Sequence, residues 1–359
     1  MRTILVTGAT GTIGRAVIKN LSLHGDVAIR AATRHPGQLR ADAGAKQLTP
    51  IAFDWAAPDA ASDITAAADT MLVLPPSAHH PLPATTRLLD SAIASGVQHV
   101  VFLSTLGADF EPGFAFGRWA LTGEQAVAAA GLPYTVLRPN SYMTNFLTMQ
   151  RPGRDGALRL PWSDGACSFV DPRDVAAAAA QVLLEPHGHD GKTYELTGPE
   201  ALDLHAIAAV LRTATRTNIH YVDTPLATVR DALFDSGMPQ PMATAFVELH
   251  SVMATSKRAP VTSHVQQVTG RPPRSFVSFA AEHAAAFDNQ SSPHQRTTAR
   301  MTRQPDIKAR PQDLAFRAAG QPVPAAAVDQ RFGAQPCAQW RPCARDEHPH
   351  RPLSGPFLS

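Results

Sequence analysis

The chain predicts a doubly wound α/β fold, a parallel sheet with crossover helices, from three observations. Short apolar runs alternate with segments of helical period through the first half of the sequence. The first run, Ile4-Leu5-Val6, passes directly into three glycines spaced three apart, Gly8, Gly11 and Gly14. After Pro139 the alternation loosens into loops rich in Pro, Gly, Ser and Asp between Arg151 and Gly165. A smaller, less regular C-terminal region therefore follows the sheet.

Taken in order, the runs predict strands at Thr3–Thr7, Val27–Thr33, Gln47–Asp54, Thr70–Leu74, His99–Ser104 and Tyr134–Arg138. Helices are expected near Gly14–Ser22, Thr86–Ser95 and Thr122–Ala130, where apolar positions recur every three or four residues. Gly96 and Gly131 stand where helix C-terminal stops belong. Further on, the pattern predicts a helix at Arg173–Leu184, a strand at Lys192–Leu196, a helix at Leu204–Thr213, and helices near Pro225–Ser236 and Met242–Ala254. From about Asn289, Pro, Arg, Gln, His and Ser dominate, and a disordered tail is expected. The organisation read from this is a dinucleotide-binding region at 1–150, a smaller substrate-binding region at 151–287 and a disordered tail at 288–359.

With 44% hydrophobic residues the chain can bury a core, and a formal net charge of +2 with 17% charged residues lacks the basic footprint of a nucleic-acid or anionic-membrane partner. The N-terminal apolar run is too short to span a bilayer. Three cysteines without a paired framework, and no secretory leader pattern, point to the cytoplasm. Cys337 and Cys343 lie near His348 and His350, but C-x5-C with H-x-H is not a recognised zinc pattern. Asp171 and Asp174 read as turn and helix caps, so no metal site is expected.

A strand that ends in a glycine turn and opens a helix aims backbone N–H groups and the positive end of a helix dipole at one point, which suits a pyrophosphate. Gly8, Thr10, Gly11, Thr12, Ile13 and Gly14 form the expected cradle. Gly8 reverses the chain, Gly11 keeps Cβ out of the phosphate's way, and Gly14 lets helix and sheet pack closely. At the end of the second strand, where NAD sites commonly carry a carboxylate, the sequence reads Ala32-Thr33-Arg34. Arg34 reads as a guanidinium that pairs with the extra phosphate of NADP or as a surface arginine on a loop, and the first reading makes NADP(H) expected in preference to NAD(H). Asp54 is a candidate partner for the adenine amino group or a turn cap, and Pro75-Pro76 a wall beside the ribose or a strand end.

The blocks T-G-A-T-G-T-I-G, T-R after the second strand, S-T-L-G after the fifth, G-L-P-Y-T-V-L-R-P-N-S-Y-M-T-N-F at 131–146 and F-V-D-P-R-D-V-A at 169–176 resemble the NmrA-like group of atypical short-chain dehydrogenases. K-T-Y-E-L-T-G-P-E at 192–200 and T-G-R-P-P-R-S-F at 269–276 are similar to the same group, and the resemblance runs from Met1 to about Phe287. It implies a Rossmann domain with a small C-terminal substrate domain and a bound NADP or NAD. It also implies one of two roles: hydride transfer from NADPH to a small molecule, as in type 2 quinone oxidoreductases and azo-reducing enzymes, or a redox sensor that acts through a protein partner. Fold alone does not separate them.

Ordinary short-chain dehydrogenases place a Tyr-x-x-x-Lys pair on the helix after the fifth strand to exchange a proton with a carbonyl or alcohol. Here the window Phe116 to Glu124 holds neither residue. An acceptor that needs little acid assistance fits such a site, with catalysis resting on proximity and orientation. Ser104 and Thr105 at the fifth strand's end, which read as hydroxyl donors or as caps of the strand, and Tyr142 are the catalytic candidates, with Asn140, Tyr142, Met143 and Asn145 facing the nicotinamide and substrate. Tyr142 reads as a proton donor or a packed aromatic, Glu124 as reaching the pocket or facing water, and His79 and His80 as incidental loop residues.

Overall fold

The N-terminal apolar run forms the central strand β1 (Arg2–Val6) in a computed structural model of the chain, which describes residues 1–40, 47–76 and 82–287. Expectations placed on the tail at 288–359, including Cys337, Cys343, His348 and His350, and on His79 and His80, lie outside the described residues. Strands β2 (Val27–Thr33), β3 (Leu48–Ala52), β4 (Thr70–Val73), β5 (His99–Leu103), β6 (Tyr134–Pro139) and β8 (Lys192–Leu196) complete a seven-stranded sheet of order β3-β2-β1-β4-β5-β6-β8. Every neighbouring pair in it is parallel. The order reverses between β1 and β4, so a crevice opens there beyond the strand C-termini, where open α/β sheets bind ligands.

Alternation along the strands explains the layers. Ile4, Val6, Leu72, Val101 and Leu137 face one side, where they pack with α1 (Thr12–Leu21), α6 (Pro172–Leu184) and α10 (His264–Thr269). Leu5, Met71, Val73, Val100 and Phe102 face the other, against Ile64 of α3 (Ala61–Thr65), Leu88 and Leu89 of α4 (Leu82–Ala94), and Val127 of α5 (Ala115–Ala129). Each such side chain, removed from water, contributes about 1.5–3 kcal/mol. The short helix α2 (Gly37–Arg40) follows β2. Pro50 sits inside β3, which the sheet tolerates because β3 is an edge strand.

Two helices begin a full turn or more before the start their periodicity predicts. Helix α4 starts at Leu82 with Pro83 in its first turn, where a missing N–H costs nothing. Helix α5 starts at Ala115 because Glu248 reaches across from α9 (Gln240–Met253) and accepts from Ala115 N at 2.7 Å, a cap supplied by a residue far along the chain. By contrast α6 carries its own signals: Asp171 accepts from Arg173 N at 2.8 Å and Pro172 is the first helical residue.

Residues 151–165, read as loop, contain β7 (Ala157–Leu160), which pairs in parallel with β9 (His220–Asp223) in a separate two-stranded sheet. Four-residue strands whose partner lies some sixty residues away carry too little local pattern to be read from sequence. Helix α7 (Leu204–Thr215) packs on β9, α11 (Phe276–Glu282) and α12 (Ala284–Phe287) pack on α7, and α8 (Leu226–Asp235) packs on α9. An aromatic core holds this region: Phe146 meets Phe169 at 5.1 Å and Phe276 at 5.3 Å between ring centroids, both edge-on, and Trp162 stacks on Phe169. Phe276→Ala is expected to lower unfolding stability by about 3–5 kcal/mol in a denaturant titration; a loss below about 1 kcal/mol would contradict the packing described.

Candidate functional site

Gly8 has φ +58°, a conformation that side chains with Cβ rarely adopt, and Gly14 lies so close to the turn that an added Cβ would stand 2.3 Å from Gly8 O. At Gly11 an added Cβ would meet only Gly8 O, at 3.2 Å, so the outer side of the turn is open. Gly11 is the N-cap of α1 without a side-chain cap, and the first turn holds no acidic residue. N–H groups of the first helical turn, from Thr12 to Gly14, thus face outward with the helix dipole behind them, which fits a pyrophosphate. Thr10 Oγ1 lies 3.1 Å from Thr33 Oγ1 and fixes the turn on β2, past whose end Arg34 is exposed. Asp54 accepts from Ala56 N at 2.9 Å, the geometry of a turn.

Beyond the carboxyl ends of β4, β5 and β6 lies a cavity of about 290 Å³. Pro75 and Pro76 form the wall after β4, Ser104 and Thr105 the wall after β5, and Asn140 and Tyr142 the wall after β6. Helix α5 turns Phe116 and Trp119 toward it, so the helix that carries Tyr and Lys in ordinary short-chain dehydrogenases supplies aromatic rings instead. Tyr142 is half-buried, burial pushes its phenol pKa up while the nearby Arg258 charge opposes the rise, and its hydroxyl has no hydrogen-bond partner among the described residues. It is therefore a neutral O–H donor.

Arg258, on the loop between α9 and α10, lines the same cavity and is only 2% exposed. Its Nε donates to Asn140 Oδ1 at 2.9 Å, its Nη1 to Leu106 O at 2.6 Å, and the guanidinium lies 5.6 Å from the centre of the Phe114 ring. No carboxylate among the described residues stands within ion-pair reach of it. Burial pulls its pKa down, yet a guanidinium stays charged in proteins. A buried cation without a counter-ion is costly and signals a missing negative partner. Sequence offers no cue to it, since Lys257-Arg258 reads as an ordinary surface pair.

Asn140 organises this wall. Its Nδ2 donates to Ser168 Oγ at 2.7 Å and Arg258 O at 2.8 Å, while Oδ1 accepts from Ser141 N at 2.8 Å, from Arg258 Nε and from the buried thiol of Cys167 at 3.3 Å. Burial raises that thiol's pKa to about 11, so it stays protonated and donates. With its amide fully engaged, Asn140 presents an ordered wall to the cavity.

A second network stands behind Ser104. The Ser104 hydroxyl donates to Glu124 Oε1, and Arg138 grips the same carboxylate through Nε at 2.9 Å and Nη2 at 2.7 Å. Arg138 Nη1 reaches Asp109 Oδ2 at 2.7 Å, which holds the Asp109 carboxyl below its ordinary pKa, and the pair with Glu124 raises that of Arg138. Glu124 and Arg138 are 8% and 9% exposed, so Glu124 meets Ser104 and Arg138 where sequence left it between pocket and water. Their signal was present: an arginine inside the apolar strand Tyr134–Pro139 demands a buried acid. Asp174 accepts from Arg274 N at 2.7 Å and from its guanidinium, and no cluster of metal-ligating groups occurs among the described residues.

Residues 1–270 match the NmrA-like family. The chain is 33% identical over 285 residues to an NAD(P)H azoreductase of Xenophilus azovorans, covering 79% of this chain and 99% of the relative. It is 34% identical over 287 residues to a (4-alkanoyl-5-oxo-2,5-dihydrofuran-3-yl)methyl phosphate reductase of Streptomyces griseus, with the same coverage of both chains. The solved structure of an NADPH-dependent quinone oxidoreductase of Escherichia coli in complex with NADPH superposes with a TM-score of 0.70 at 27% identity, covering 78% of this chain and 99% of that one. No helix among the described residues is long and apolar enough to cross a membrane.

Arg138→Met leaves Glu124 buried without its cation, and a loss of about 3–5 kcal/mol is expected in chemical denaturation. Adding Glu124→Leu should recover part of it; strictly additive losses would show that the pair does not act as a unit.

Proposed function

The chain belongs to the NmrA-like family, and from that premise we propose that it is an NADPH-dependent oxidoreductase that reduces a quinone-like or other conjugated small molecule without a Tyr-Lys pair. The observation that carries this reading is the buried Arg258 guanidinium, unpaired by any carboxylate among the described residues, on the wall of an apolar cavity beyond the sheet. A conjugated acceptor that takes a hydride at carbon builds negative charge on its oxygen or nitrogen, and a preorganised cation in a dry site stabilises that charge strongly. The relatives support the same class, since azo compounds, oxo-dihydrofurans and quinones are all conjugated electrophiles.

NADPH, when bound, supplies the hydride. Gly8, Thr10, Gly11, Thr12, Ile13 and Gly14 hold its pyrophosphate, Arg34 takes the phosphate that distinguishes it from NADH, and Pro75 walls the nicotinamide side. Arg258 and the Tyr142 hydroxyl hold the acceptor's charged atom, and solvent supplies the proton that completes the reduction. Ser104, fixed by Glu124 and Arg138, and Thr105 orient the acceptor from the β5 side. Asn140 keeps Arg258 in place. A pure sensor of cofactor state would have no use for a buried cation in an acceptor cavity.

Purified protein with NADPH and a panel of quinones should consume the nicotinamide absorbance. Arg258→Met should lower kcat by about 100-fold with NADPH binding intact, and Arg258→Lys should recover part of it. An unchanged kcat would remove Arg258 from the mechanism, and absence of turnover across the panel with NADP binding intact would favour the sensor. Separately, Arg34→Glu should weaken NADPH relative to NADH by about tenfold or more in equilibrium titrations; an unaltered ratio would show that Arg34 does not read the phosphate.

A further inference from the structure

Adjoining the cavity just described is a second one, also of about 290 Å³, which shares Ser141, Asn145, Met149, Phe246 and Leu249 with it. No charged residue lines this chamber, and most of its wall is apolar, with Trp162, Leu160, Leu233 and three methionines. A dry cavity half that size accommodates a benzene ring. Five polar residues, Ser141, Asn145, Gln150, Ser236 and His250, interrupt the apolar wall, and the buried imidazole is the most directive of them. His250 is only 8% exposed, and its Nδ1 accepts from Trp162 Nε1 at 2.8 Å. That bond assigns the hydrogen to the other ring nitrogen, Nε2, which has no partner among the described residues. The chamber reaches this N–H, and an acceptor atom of a ligand would satisfy it.

We infer that this chamber is a specificity subsite that takes an uncharged apolar arm of the acceptor, ending in a hydroxyl or a primary amide. Such a group accepts from His250 Nε2, while the rest of the arm is covered by the methionines and leucines. Burial holds the His250 pKa at about 4, so the imidazole is neutral near pH 7 and offers no attraction to a carboxylate or phosphate. The inference rests on the reductase reading only in placing the reacting end of the ligand in the first cavity.

The test compares a bare naphthoquinone with naphthoquinones carrying an alkyl arm that ends in a methyl, a hydroxyl or a carboxylate. Two readouts are taken, calorimetric affinity for the NADP-loaded protein and KM in turnover. The hydroxyl arm should bind about tenfold more tightly than the methyl arm, and the carboxylate arm should be the weakest of the three. His250→Asn keeps an acceptor near Trp162 Nε1 and loses the far ring nitrogen. It should bring the hydroxyl-to-methyl ratio close to one without changing the affinity of the bare quinone. Leu233→Trp fills the chamber from α8 and should weaken both neutral armed ligands about tenfold while sparing the bare quinone. Equal affinities for the arms in the wild type, or a ratio unmoved by both variants, overturns the subsite. Discrimination in binding with no turnover of any quinone upholds the chamber and overturns the reductase reading instead.

Discussion

The cavity beyond the sheet depends on one buried interaction, the Asn140 amide against Arg258. Asn140 sits just past β6, and its amide takes Arg258 through both the side-chain Nε and the main-chain carbonyl. The same amide reaches Ser168 and Cys167 on the segment that leads into α6, so three chain segments far apart in sequence converge on one side chain. Without that anchor the guanidinium would have water or a carboxylate to turn to. Held there, it remains a cation in a low-dielectric wall, where the free-energy cost of its isolation is recovered only when negative charge appears opposite it.

A division of labour follows between the two ends of the strands' crevice. The proposed cofactor side is local: a glycine turn, a helix start and one exposed arginine, all within the first thirty-four residues. The proposed acceptor side is assembled from β5, β6, α5, α9 and the loop after α9. Its polar groups are set by long-range partners, as when Arg138 fixes Glu124 and Glu124 fixes Ser104. The helix position that ordinary short-chain dehydrogenases give to proton transfer carries Phe116 and Trp119, and in the proposed mechanism the electrostatic role falls to Arg258 on another wall.

That division also sets what could be read from the sequence. All seven strands of the main sheet and its longer crossover helices are legible because alternation and helical period are local properties, and Asp171-Pro172 announces its helix outright. The β7–β9 pair escaped because each strand is four residues long and partnered across some sixty residues. The early start of α5 escaped because its cap is Glu248. At the site, Gly8, Gly11 and Gly14 announce themselves by spacing, and Arg138 was readable as a charge inside an apolar strand. Arg258 and His250 were not, since nothing near them in the chain distinguishes a buried cation or a buried imidazole from a surface one.

The claim that an uncompensated cation faces the acceptor cavity can be tested without turnover, by the acidity of a bound nitrophenol read from its phenolate absorbance in the NADP-loaded protein. Arg258 should stabilise the phenolate, so the bound pKa should fall below the value in water and return toward it in Arg258→Met. A bound pKa equal to or above the value in water would mean that the cavity behaves as an apolar pocket, and the account of Arg258 would be wrong.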